Sequence, residues 1–273
     1  MPECVGIKFE NGPKLHYVEA PPEAPEVGVK CVVSTRRGLE FGLVRTLPRD
    51  HPRPNGFYVR DALREDVADF ERLKTKAEDL KWLLRARARD AKGRPKIVSA
   101  EFNLDETVLV VSYSAERQAN LRELAAELAR HTDARVDFVN VGPRDEARIL
   151  GTLGACGDGS CSSTWMQSFN AVGIRMARDQ QLPLNPEKIS GPCGRLMCCL
   201  QFEHEMYREL LKGMPKKGGR TCHSESGTCG RIVKLNPLKQ TVDLYTDEGN
   251  YAEYGVAELE RAPKQRKRRE EES

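Results

Sequence analysis

No apolar run in this sequence approaches the roughly 20 residues that a bilayer-spanning helix needs, and no charged segment followed by an apolar core opens it. Both absences argue against membrane insertion and secretion and lead to the expectation of a cytoplasmic protein. A surplus of one charge is also missing. With 44 basic and 41 acidic residues, a net charge of +3, the balance alone does not announce a nucleic-acid binder, so any such role must come from local patches. Phosphate-loop and dinucleotide fingerprints are absent. Ser162, Ser163 and Thr164 have no His and Asp beside them in a recognised order. The chain is therefore expected not to be an enzyme.

Cysteine is what the sequence does have. Nine cysteines in 273 residues read, in a reducing compartment, as metal ligands, reactive thiols or small buried hydrophobes rather than as a disulfide framework. The length suggests two or three modules, each with enough apolar surface to fold without staples.

Along the chain, "CVGIKFENGPKLHYVE" alternates Val5, Ile7 and Phe9, turns at Asn11-Gly12-Pro13 and resumes at Leu15 and Tyr17. A second hairpin follows in "KCVVSTRRGLEFGLV". Together they predict a small N-terminal β-barrel over residues 1–50. Leu63, Val67, Phe70, Leu73, Ala77, Leu80 and Leu84 recur at helical steps up to a stop at Gly93. Two strands, a helix carrying Leu121, Leu124, Ala125 and Leu128, and a third strand follow. The order α-β-β-α-β over 60–150 suggests an α/β sandwich, ferredoxin-like in its layering. Residues 151–219 read as a cysteine-rich helical region with one helix over "TWMQSFNAVGIRMARDQ", 220–260 as a C-terminal small β-module, and 261–273 as a disordered charged tail. The fold class expected is α+β.

The thiols form a repeated pattern. "GACGDGSCSS" and "GPCGRLMCC" share the spacing of Gly154, Cys156, Gly157 and Cys161 with Gly191, Cys193, Gly194 and Cys198. A Cys-x4-Cys spacing places its side chains about 140° apart on an ideal helix, so a shared ion requires a turn between them. Gly157 and Gly194 supply the positive φ for that turn. Cys198 and Cys199 then open a helix with Leu196, Leu200, Met206, Tyr207, Leu210 and Met214 at helical period, where the helix dipole favours a thiolate. Zinc usually takes tighter knuckles, and iron–sulfur ligands tolerate wider and denser spacing, so the spacing favours iron–sulfur mildly and zinc is the alternative. His204 and His223 add little. Adjacent cysteines suit thiol exchange poorly, so a redox enzyme is the weakest reading.

"RDEARILGTLGACG", "GIRMARDQQLPLNPEKISGPCGRLMCCLQFEHEMY" and "VVSTRRGLEFGLV" together resemble the bacterial RicT (YaaT) family, whose shared region is the PSP-one C-terminal domain. The resemblance implies a non-catalytic regulatory adaptor that joins two small helical partners, RicA and RicF, in a complex carrying 4Fe-4S clusters. It further implies that this complex assists RNase Y in messenger RNA maturation and influences sporulation, competence and biofilm formation. Carried over, the family's cysteine motif maps onto Cys156, Cys161, Cys193, Cys198 and Cys199. Ser162 stands where relatives place a second adjacent cysteine. A serine hydroxyl is a poor replacement for thiolate, so Cys222 and Cys229, which bracket "HSESGT", are expected as replacement metal ligands. Besides the adaptor, a direct RNA-binding module would use Tyr245, Tyr251 or Tyr254 for stacking and the Arg261–Arg269 run for phosphates.

Overall fold

In a computed structural model of the chain, the described residues are 2–10, 14–116 and 119–261. Two compact units result, Met1–Phe169 with Pro192–Arg195, and Asn170–Gly191 with Leu196–Ser273.

The first unit begins with strands β1 (Glu3–Lys8), β2 (Leu15–Glu19), β3 (Lys30–Thr35), β4 (Gly38–Val44), β5 (Arg49–Asp50) and β6 (Gly56–Asp61). Pairing runs β1-β2-β6-β3-β4 and returns from β4 to β1, which closes a five-stranded barrel with β5 appended to β1. Closure removes open edges. Both expected hairpins are present; the turn expected at Asn11–Pro13 lies outside the described residues. The barrel extends past residue 50, because β6 supplies the strand that joins β3 to β2. Val5, Ile7, Val18, Cys31, Val33 and Val44 fill it. Gly38, at φ +105°, ends the turn after β3, where a Cβ would fall 2.6 Å from the Asn103 amide nitrogen.

Helix α1 (Arg64–Ala88) follows. Its start is fixed by Asp66, whose carboxylate accepts from the Leu63 N–H at 2.8 Å and pairs with Arg60. Leu73, Ala77, Leu80, Leu84 and Ala88 form its buried stripe. The stripe packs against β7 (Lys96–Phe102), β8 (Val108–Ser114), α2 (Arg122–Leu128) and β9 (Arg135–Asn140), sharing one core with Ile97, Leu109, Val111, Leu124 and Leu128. The sheet order is β7-β8-β9, antiparallel then parallel. This is a three-stranded layer, not the four-stranded one of a ferredoxin-like sandwich, because β6 is spent on closing the barrel. Helices α3 (Pro143–Leu150) and α4 (Cys161–Thr164) complete the unit's regular structure.

The second unit holds α5 (Ile174–Asp179), α6 (Pro186–Ile189) and α7 (Cys198–Leu211). Ala177, Ile189 and Leu200 form a small core with Leu196 and Met197, and buried Gln180 donates to the Leu200 carbonyl at 2.6 Å. The single helix expected over residues 164–180 is not formed: α4 stops at Thr164, and α5 starts only after Gly173, an extended residue at φ −113°. Strands β10 (Arg220–His223), β11 (Cys229–Asn236), β12 (Thr241–Thr246), β13 (Tyr251–Gly255) and β14 (Leu259–Arg261) then pair in the order β13-β12-β11-β10-β14. Ile232, Leu235, Val242 and Leu244 are its core, which Leu211 and Met214 cover. The expected turn at Asn236–Pro237 begins at the last residue of β11, and the one at Asp247–Asn250 falls between β12 and β13. The charged tail lies outside the described residues beyond Arg261.

A duplicated cysteine turn as candidate functional site

The sequence repeat is a repeat of backbone structure. In the first copy, Leu153 bridges Gly159, the Ser160 N–H donates to the Thr152 carbonyl at 2.8 Å, and Gly157 sits at φ +92°. Ser160 then takes φ −56°, ψ 138°, and Cys161 is the first residue of α4. In the second copy, Ser190 bridges Leu196, the Met197 N–H donates to the Ile189 carbonyl at 2.9 Å, and Gly194 sits at φ +73°. Met197 takes φ −57°, ψ 130°, and Cys198 is the first residue of α7. Every feature recurs at one constant offset along the chain. The positive φ expected of both glycines is present, and it is a conformation that an L side chain adopts only at a cost.

The turn therefore fixes two positions in each copy, one cysteine just before the left-handed glycine and one at the start of the following helix. A Cβ on Gly154 would lie 3.2 Å from Cys156 Sγ, a tight contact that the thiol would have to yield to. Cys156 is exposed, and Cys161, Cys193, Cys198 and Cys199 are half-buried, within reach of a ligand. Cys4 and Cys31 differ, being buried in the barrel. Burial, with Asp61 as a lesser contribution, pushes the Cys31 thiol up to about 12, and burial likewise raises Cys4. These two are core hydrophobes.

Cys156, Cys161 and Cys193 fall in the first unit, and Cys198 and Cys199 in the second. Among the described residues, no three or more His, Cys, Asp or Glu side chains are arranged to hold a metal ion. The expectation for Cys222 and Cys229 is corrected. The two are bonded to each other as a disulfide, so in this state neither sulfur is a thiolate ligand. They are register partners on β10 and β11, next to the pair in which the His223 N–H donates to the Thr228 carbonyl. That makes them a non-hydrogen-bonded antiparallel pair, the geometry that brings side chains closest, with Cα atoms 4.0 Å apart. His223 is engaged with Ser226, at 2.9 Å from Nδ1, and stacks on Tyr254. His204 faces Asp179 at 3.9 Å.

The sequence reading missed the support of the first copy. Arg148, buried on α3, donates to the carbonyls of Ser162 and Met166 at the end of α4, and its guanidinium lies over the Phe169 ring, as does that of Arg144. Ser162 is buried, with its hydroxyl 3.2 Å from that of Ser160, which also lies 2.9 Å from that of Ser163. Arg144 and Arg148 stand one helical turn apart in "RDEARIL", the one signal that pointed to a shared task.

A family model described as the PSP1 C-terminal conserved region matches residues 58–141, from β6 through β9, and one described as the PSP1-like protein third domain matches 171–214. The latter contains Cys193, Cys198 and Cys199, whereas the first cysteine turn lies between the two matches. Over 249 residues, the chain is 31% identical to the stage 0 sporulation protein YaaT of Bacillus subtilis (strain 168), covering 89% of this chain and 90% of that protein. The chain belongs to the YaaT family of PSP1 proteins. No solved structure matches it. Among the described residues, no helix of this YaaT-family chain is long and apolar enough to cross a membrane.

Proposed function

We propose that this chain is a non-catalytic regulatory adaptor that carries iron–sulfur clusters on the cysteines of its two turns. In this reading it joins small helical partners like RicA and RicF and assists RNase Y-dependent messenger RNA maturation, with an influence on sporulation. The observation that carries the proposal is the duplicated turn, which sets Cys156 with Cys161, and Cys193 with Cys198, at equivalent backbone positions. The donor set agrees in kind: thiols alone, partly exposed and outside the disulfide, suit iron–sulfur ligation. In this reading partner chains complete the ligand set. Cys199, next to Cys198 on α7, is the fifth candidate ligand, and Ser162 leaves the first turn with two. A bound cluster supplies a tie between the chains that ligate it, lost when iron is removed.

Strictly anaerobic co-purification of the full chain with its partners, followed by iron, sulfide and zinc analysis, tests this reading. Iron with acid-labile sulfide is expected. Stoichiometric zinc without sulfide would replace the iron–sulfur reading with a zinc site.

A further inference from the structure

On the C-terminal sheet, register aligns four side chains across four adjacent strands. Arg220 on β10 is opposite Arg231 on β11, Arg231 is opposite Tyr245 on β12, and Tyr245 is opposite Tyr251 on β13. Directly paired residues project from the same face of a sheet. All four are exposed, while their strand neighbours Ile232 and Leu244 point into the core. The row therefore lies on the outer face, reading Arg-Arg-Tyr-Tyr.

The two rings are 5.1 Å apart between centroids and tilted by 56°, and Tyr251 is 73% exposed. Nothing in the unit's core accounts for them, unlike Tyr254, which packs into it. The segment before β10 borders the row as well: the Gly218 N–H donates to the Ile232 carbonyl at 2.9 Å, and a Cβ on Gly218 would lie 3.7 Å from Arg231 Nη2. The result is a shallow groove lined by Lys217, Gly218, Arg231, Val233, Tyr245 and Tyr251. Arg220 is already paired with Asp247. Arg231 and Lys217 have no carboxylate within ion-pair distance among the described residues. In the next row of the sheet, Asp243 and Glu253 bring acidic charge opposite Lys234, which confines the cationic strip to the side of the groove formed by Arg231 and Lys217.

We propose that this groove binds single-stranded nucleic acid, with two bases on Tyr245 and Tyr251 and the adjoining phosphates on Arg231 and Lys217. Exposed rings on a sheet face beside unpaired cations are the combination that single strands require, because every base offers a π-face and the backbone supplies the charge. An acidic peptide would engage the cations and leave the rings unused. A proline-rich peptide would use the rings and leave the cations idle. A duplex keeps its bases stacked away from the rings. The inference stands independently of the cysteine turns, none of which contributes a residue to the groove.

Fluorescence anisotropy of the full chain, as purified, with a fluorescein-labelled oligouridylate tests it across a salt series. Saturable, salt-sensitive binding is expected. Tyr251→Ala weakens it at least about fivefold, the lower end of what stacking is worth per base, and Tyr251→Phe restores it because the ring and not the hydroxyl is used. Arg231→Gln and Lys217→Gln each lower the slope of log K against log salt by about 0.7. Tyr251→Ala is well exposed, so its melting curve matches that of the parent, and Tyr245→Ala provides a second ring variant. The proposal fails if the parent chain shows no saturable binding, if both tyrosine variants bind as tightly as the parent, or if a proline-rich or acidic peptide binds through Tyr251 while the oligonucleotide does not.

Discussion

The two cysteine turns share one backbone and differ in the helix that each one opens. After Cys198, α7 runs for 14 residues, whereas after Cys161, α4 runs for four. The second turn is continued by Cys199 and by Leu200, which anchors the helix in the core of its unit. The first is continued by Ser162 and Ser163, whose hydroxyls bond Ser160, and its helix ends where Arg148 takes the carbonyls of Ser162 and Met166. The same hairpin can thus open a helix held by apolar packing or one held by a buried cation. At the first turn, the residue beside the helix-opening cysteine is a structural hydroxyl; at the second it is a further thiol. The first turn thus presents two thiols and the second three.

The largest expected effect comes from removing a thiol at the turn itself. Cys198→Ser should abolish most of the bound iron and weaken partner assembly. Cys31→Ser should leave iron in place and destabilise the barrel by about 1–3 kcal/mol, through a hydroxyl buried among apolar groups. Iron analysis set beside urea unfolding separates the two. Equal iron loss in both variants would erase the distinction between turn thiols and barrel thiols.

Next is Arg148→Met. Two carbonyls lose a charged donor in a buried site, a cost of about 2–4 kcal/mol, and the damage should stay with the first turn. Hydrogen exchange of the amides of Ser160 and Met166 should accelerate, while that of Met197 is unchanged. Exchange that accelerates equally at Met197 would show that the two turns are not held separately.

Much of the fold is legible in the sequence alone. The alternation in β1 to β4, the leucine stripe of α1 and the left-handed glycines at 157 and 194 follow from local physics: strand period, helix period, and a turn that needs positive φ. The strand β6, "GFYVRD", was not separable from the break at "HPRPNG", because barrel closure is a long-range pairing with no local sign. The disulfide was missed for the same reason. Cys222 and Cys229 read as loop thiols until the strands on either side set them opposite one another. The helix expected across 164–180 failed where the carbonyls of Ser162 and Met166 take a donor on α3, a contact that sequence spacing does not display. The row of Arg220, Arg231, Tyr245 and Tyr251 likewise exists only once the register is known.

Reducing the Cys222–Cys229 bond should cost about 2.5 kcal/mol by the loop-closure argument for so short a loop, lowering the melting temperature of the C-terminal module without changing iron content. Iron that falls on reduction would instead bring these sulfurs back into the ligand set. The smallest effect is expected from Gly157→Ala and Gly194→Ala. Neither glycine has a heavy atom within 4 Å of an added Cβ, so the cost is conformational alone, about 1–2 kcal/mol. It should be the same in both turns, and calorimetric unfolding of the two variants checks that equality.

The ligand role proposed for both turns is tested most directly by the iron and sulfide content of Cys161→Ser and Cys198→Ser, prepared anaerobically with partners beside the parent protein. Both variants should lose most of their iron and sulfide, with the loss at Cys198 the greater. Full retention in Cys161→Ser would contradict the account and leave the first turn as a structural copy without a ligand role.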